Sequence, residues 1–173
     1  IEHSGSDIGC TTAIQGLHTF ITASKERKDL LLGQRSPERN TEIQLSKTYN
    51  PTYDDIILRA KQATDYFLLI GPPGTGKTSM ALQYLVREHE GKNILLLSYT
   101  NRAVDEICGM LADNNIAFLR LSKEYSCDSR FTDNLLNNAV KTNPTLEHIR
   151  QTIESSRIVV STTASLAIHT AIF

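Results

Sequence analysis

Gly71-Pro-Pro-Gly-Thr-Gly-Lys-Thr78 is the stretch on which the reading of this chain turns. It matches G-x-x-x-x-G-K-[ST], the Walker A pattern of a loop whose backbone N–H groups cradle phosphates. An apolar run, Tyr66-Phe-Leu-Leu-Ile70, comes directly before it, and Met80, Ala81, Tyr84 and Leu85 follow at helical spacing. Strand, glycine loop and helix in succession turn a letter pattern into a physical site. The expected cradle is Gly71, Pro72, Pro73, Gly74, Thr75, Gly76 and Ser79, with the positive end of the helix aimed at the same point. Lys77 is expected to reach the β- and γ-phosphates and the Thr78 hydroxyl to ligate Mg²⁺, which makes ATP with Mg²⁺ the expected ligand. The bland reading, a glycine-rich turn, has the whole motif and both flanks against it.

Downstream, Asn93-Ile-Leu-Leu-Leu97 reads as a parallel strand buried on both faces. Ser98-Tyr-Thr-Asn101 leads into a helix with Ala103, Val104, Ile107, Cys108 and Leu111 on one side, ended by Asn114-Asn115. Residues 116–121 read as a further strand, 132–140 as a short helix, and Asn143-Pro144 as a helix start with Asn143 as the cap. Residues 157–161 are the last strand, and Thr162-Thr163 opens a final helix or turn reaching Phe173. Upstream, a helix from Thr11 or Thr12 to about Lys28 carries Ile14, Leu17 and Ile21 on one side, and Gly33 ends its extension. Residues 42–47 suggest a short strand and 54–63 a helix with Ile56, Ile57 and Ala60 inward. Strands alternating with helices imply an α/β fold with a parallel sheet, a P-loop NTPase preceded by a helical segment. The domains are read as 1–48 and 49–173.

The bulk numbers narrow the class. With 173 residues, 40% hydrophobic and 21% charged, the chain can build an ordinary core. No apolar run approaches the roughly 20 residues that span a bilayer, so no membrane is expected. Ile1-Glu-His-Ser-Gly-Ser shows neither a basic nor an apolar leader region, which points to a cytoplasmic or nucleoid-associated chain. A net charge of −1 leaves no global basic field, so a nucleic-acid partner must be held by a local groove. Three scattered cysteines and five scattered histidines show no metal-binding spacing.

Three stretches together resemble a known family. Residues 70–78, Ser98-Tyr-Thr-Asn-Arg-Ala-Val-Asp-Glu-Ile107 and Val159-Val-Ser-Thr-Thr-Ala164 look like motifs I, Ia and Ic of superfamily 1 helicases. The similar group contains the nonsense-mediated-decay helicase and the DNA replication helicase-nuclease. The resemblance covers about 49–173 and implies the first part of a RecA-like motor domain, stopping before the Walker B acids. It implies an ATP-dependent helicase that moves along single-stranded DNA or RNA and unwinds duplex, with the rest of the motor domains as partner. The 173-residue chain is then expected to bind ATP without turning it over. Ser98, Thr100, Asn101 and Thr162 are the implied nucleic-acid contacts, and Arg120 stands where motif Ib belongs. On chemistry alone, Thr100 or Asn101, and likewise Thr162 and Thr163, serve equally well as helix caps. Asp105-Glu106 resembles an acid pair by letters, but lies inside a helix and is rejected as a Mg²⁺ site. One departure concerns the base: Tyr53 stands where the family has an adenine-reading glutamine, and a tyrosine there would stack on the base instead. The alternatives are another P-loop ATPase or kinase of AAA type, and a nucleotide- or nucleic-acid-binding module without turnover.

Overall fold

The computed structural model describes residues 8–168. They form two compact units: one holds the described residues up to Asn40 together with 63–66, the other 41–62 and the chain from Phe67 onward.

In the first unit, the long helix expected from the sequence is two, α1 (Ile8–Thr22) and α2 (Lys25–Leu31). Ser24 divides them, because its hydroxyl accepts from the Arg27 N–H and so caps a new helix. Gly33 adopts φ 71° just past α2, as expected of a helix-ending glycine. Ile14, Leu17 and Ile21, on one side of α1, are exposed. Arg35 grips Asp65 through two hydrogen bonds of 3.0 Å, and the Glu38 N–H donates to the same carboxylate at 2.8 Å.

The second unit is built on a parallel sheet in the order β1-β3-β2. Its strands are β1 (Ile94–Ser98), β2 (Leu119–Leu121) and β3 (Ile158–Thr162). Because side chains alternate across a strand, Ile158 and Val160 share one core with Val104, Ile107 and Leu111, while Val159 joins Leu119, Leu121 and Ile153 in another. The first core is covered by α5 (Asn101–Asp113), the second by α7 (Leu146–Ser155). All of β3 is buried, as its central place requires. β1 is an edge strand, and of its leucines only Leu96 is buried, so burial on both faces belongs to β3 and not to β1.

Four further expectations are corrected. Residues 66–70 pair with no strand among the described residues, and Leu68 and Ile70 are largely exposed. An apolar run signals burial but does not supply the neighbouring strand whose N–H and C=O groups make a ladder. Residues 42–47 form no strand, because their backbone is held by side chains: Gln62 donates to the Ile43 carbonyl at 3.0 Å and Glu88 accepts from the Ser46 N–H at 2.7 Å. α7 is capped by Thr145, whose hydroxyl accepts from the His148 N–H, rather than by Asn143. The expected helix over 132–140 is a 3₁₀ stretch (Ser129–Asn134) followed by α6 (Leu136–Ala139). The last helix, α8 (Thr163–Ile168), starts where expected, and its continuation to Phe173 lies outside the described residues.

Candidate functional site

The phosphate-loop residues meet the face of α5 across a cleft of about 680 Å³. Pro73 to Ser79 line one wall, and Glu106, Gly109, Met110 and Asp113 line the other. Gly74 and Gly76 hold φ of 79° and 73°, a region that residues with a Cβ rarely adopt. After Gly76 the chain enters a π-helical stretch, Lys77–Leu82, continuous with α4 (Gln83–Glu88). The Gly76 carbonyl accepts from the N–H groups of both Met80 and Ala81, at 2.8 and 3.0 Å.

The Lys77 ammonium lies across the loop. It donates to the Gly71 carbonyl, to the Pro72 carbonyl at 2.6 Å, and approaches the Thr75 hydroxyl at 3.4 Å. The Thr75 hydroxyl in turn donates to the Pro72 carbonyl at 2.8 Å. The turn at Pro73-Gly74 directs the Thr75 N–H toward the Pro72 carbonyl, while among the described residues the N–H groups of Gly74, Gly76 and Lys77 have no backbone acceptor. Three free amides, one ammonium and the Thr78 hydroxyl on a cleft wall match the needs of a polyphosphate with its Mg²⁺. The donor set therefore fits ATP with Mg²⁺.

Tyr53, at the start of α3 (Asp54–Gln62), sits on this loop: its hydroxyl donates to the Thr75 carbonyl at 3.0 Å. Its ring meets Tyr84 edge-on, at 6.0 Å between centroids. Asp54 is not the plain solvated helix start that its place suggests, since its carboxylate accepts from the N–H groups of Tyr49 and Asn50, both at 2.9 Å.

The second group of sequence-derived residues gathers at the carboxyl edge of the sheet. Ser98 and Thr162 are register partners at the ends of β1 and β3, so the loops that follow stand side by side. Thr100 caps α5, its hydroxyl oxygen accepting from the Ala103 N–H at 3.2 Å, while its own proton stays free to donate outward. Asn101 is exposed at the first position of α5. Thr162 is buried, and its hydroxyl accepts from the Ser165 N–H at 3.1 Å and donates to the Ser165 hydroxyl at 2.9 Å. Its direct work is thus capping α8. Tyr99, which the sequence reading passed over, is 88% exposed between Ser98 and Thr100. A large aromatic ring in the turn after an apolar strand is the signal that was available.

Arg120 is not on this edge. It is wholly buried and paired with Asp105 of α5. It also donates to the Ser122 hydroxyl at 3.0 Å and to the Ser126 carbonyl at 3.1 Å. Asp105 accepts a further bond from the Asp128 N–H at 3.2 Å. The pair ties the first turns of α5 to β2 and to the segment after it. Beside this pair, burial pushes the Cys108 thiol up to about 11, leaving it protonated at neutral pH.

Fold and loop define a P-loop domain with an incomplete RecA-like sheet. Residues 48–147 match the family described as AAA domain, and the chain belongs to that family. It is similar to the DNA replication ATP-dependent helicase/nuclease DNA2 of Saccharomyces cerevisiae, 36% identical over 108 residues that cover 57% of this chain and 7% of the relative. Homo sapiens DNA2, under the same description, is 31% identical over 166 residues, 84% of this chain and 15% of that protein. The DNA-binding protein SMUBP-2 of Mesocricetus auratus is 34% identical over 98 residues, 54% of this chain and 10% of that protein. The chain thus spans at most 15% of the length of these relatives.

Proposed function

We propose that this chain is the ATP-binding part of a helicase that couples ATP hydrolysis to movement along a single strand and to duplex unwinding. The observation that carries the reading is the set of free amides of Gly74, Gly76 and Lys77 with the Lys77 ammonium across the loop. Gly71 to Ser79 would hold the triphosphate, and Thr78 the Mg²⁺. That the relatives are named as an ATP-dependent helicase/nuclease and a DNA-binding protein supports nucleotide use and a nucleic-acid partner. The rest of the motor domains would complete the cleft. Among the described residues no helix is long and apolar enough to cross a membrane, which accords with a cytoplasmic or nucleoid-associated place of work.

The polymer would run along the carboxyl edge of the sheet, over Ser98, Thr100 and Asn101, with Thr162 supporting the neighbouring loop. Ligands of open α/β sheets bind at this edge. Small hydroxyls and helix-start amides suit backbone phosphates and carry no base code. Tyr99 adds a face on which a base would stack. Contacts of this kind predict binding that is salt-dependent and indifferent to sequence.

The test is single-stranded oligonucleotide binding, read by fluorescence anisotropy in the full-length protein. Asn101→Ala and Tyr99→Ala are expected to weaken the strand several-fold while ADP affinity holds, with stacking worth about 1–3 kcal/mol per base. Thr100→Ser keeps both cap and hydroxyl and is expected to bind as the wild type does. Loss of ADP affinity with strand affinity intact would assign these residues to the nucleotide site or to the fold.

A further inference from the structure

We propose that Tyr53 is a positioning residue of the phosphate loop: its hydroxyl, held on the Thr75 carbonyl, aims the Gly76 N–H into the cradle. This rests on reading residues 71–78 as a phosphate site. It replaces the base-stacking role expected for Tyr53 with one directed at phosphate.

The geometry follows from the peptide plane. The Thr75–Gly76 bond is trans, so its C=O and N–H point in opposite directions. The Tyr53 hydroxyl donates to that C=O at 3.0 Å from outside the loop, which turns the N–H inward. A phenol has one proton to donate, and here the Thr75 carbonyl takes it. The next peptide is set the same way by the helix, whose Met80 and Ala81 N–H groups hold the Gly76 carbonyl and leave the Lys77 N–H facing away from them. Two consecutive amides are thereby aimed, one by the π-helical stretch and one by Tyr53. The fit leaves no room for a side chain at 76: a Cβ there would stand 2.5 Å from the Tyr53 hydroxyl oxygen.

Tyr53 is itself held. Its ring packs edge-on against Tyr84, which tilts against Tyr49 at 5.3 Å. Tyr49 lies beside Glu88, a carboxylate with no exposed side-chain surface. Glu88 accepts from Lys61 at 2.6 Å and from the Ser46 hydroxyl at 2.8 Å. Burial opposes its charge, but these hydrogen bonds prevail and hold it at about 2, so it stays ionised at any working pH. The segment that carries Tyr53 is therefore clamped at both ends, to the helix at Glu88 and to the phosphate loop at Thr75. Fixed donors act on an anion without reorganising when it arrives, which is why an aimed amide binds better than a free one.

A hydroxyl that works through the loop contributes equally whatever base the nucleotide carries. Calorimetry with ADP, GDP and inorganic tripolyphosphate, each with Mg²⁺, therefore tests it. Tyr53→Phe, which keeps the ring and loses one hydrogen bond, is expected to weaken all three by the same factor, roughly two- to tenfold. In the ligand-free protein the Gly76 amide resonance is expected to shift in Tyr53→Phe while that of Val160, in the core, stays in place. Weakening of ADP alone, with tripolyphosphate unaffected, would place Tyr53 at the base and overturn the proposal. Equal affinities and an unmoved Gly76 resonance would overturn it too. Lys77→Ala is the reference: if it binds tripolyphosphate as tightly as the wild type, the phosphate-site reading fails and takes this inference with it.

Discussion

ATP incubated with the purified 173-residue chain and a single-stranded oligonucleotide is expected to release phosphate no faster than with Lys77→Ala. Phosphoryl transfer needs Mg²⁺ held from two sides, by the loop hydroxyl and by an acid at a strand end. Thr78 offers the first. The strands end at Ser98, Leu121 and Thr162, so no described strand ends in a carboxylate. Of the nearby acids, Asp54 is engaged by two backbone amides and Asp105 by Arg120. Glu106 and Asp113 line the cleft, but from the side of a helix. An arginine finger, where one acts, is worth about 10³–10⁵ in rate, and Arg120, buried against Asp105, cannot serve as one. Robust release that Lys77→Ala abolishes would contradict this account and identify Glu106 or Asp113 as the metal-side acid.

Arg120→Ala is expected to cost about 3–5 kcal/mol in urea unfolding, the usual penalty for stranding one partner of a buried ion pair. That is a large share of the roughly 5–15 kcal/mol by which a domain is stable. The guanidinium serves Asp105, Ser122 and Ser126 at once, so its loss frees α5, β2 and the segment 122–128 from one another. Arg120→Lys is expected to recover only part, since an ammonium cannot reproduce the fork of donors. Asp105→Asn is expected to cost less, because Asp105 is 23% exposed and an amide oxygen still accepts from the Asp128 N–H. A penalty below about 1 kcal/mol for Arg120→Ala would mean that the pair is dispensable and that α5 is held by its apolar face alone.

The elements with periodic signals were legible in the sequence. β1, α5 and β3 lie within a residue or two of their expected places, because each combines an apolar pattern with a capping or turn residue. The phosphate loop was legible because glycine, lysine and threonine at fixed spacing have few other uses together. What the sequence could not show was partnership. Residues 66–70 look like a strand, yet strand pairing is a property of neighbours, not of the run itself. Arg120 looks like a surface cation until the fold brings Asp105 beneath it, 15 positions away. Tyr53 looks like a base reader by its place before the loop, and only the fold reveals the Thr75 carbonyl in front of its hydroxyl. Thr100 and Thr162 were ambiguous between cap and contact, and both do cap helices.

The central claim is that residues 71–78 bind the phosphates of a nucleotide. Calorimetric titration of Mg²⁺·ADP into the wild type and Lys77→Ala tests it most directly. On this proposal the ammonium would make charge-assisted contacts to phosphate worth about 1.5–3 kcal/mol, so the variant is expected to bind roughly 10- to 150-fold more weakly. Equal affinity for the two proteins would contradict the claim.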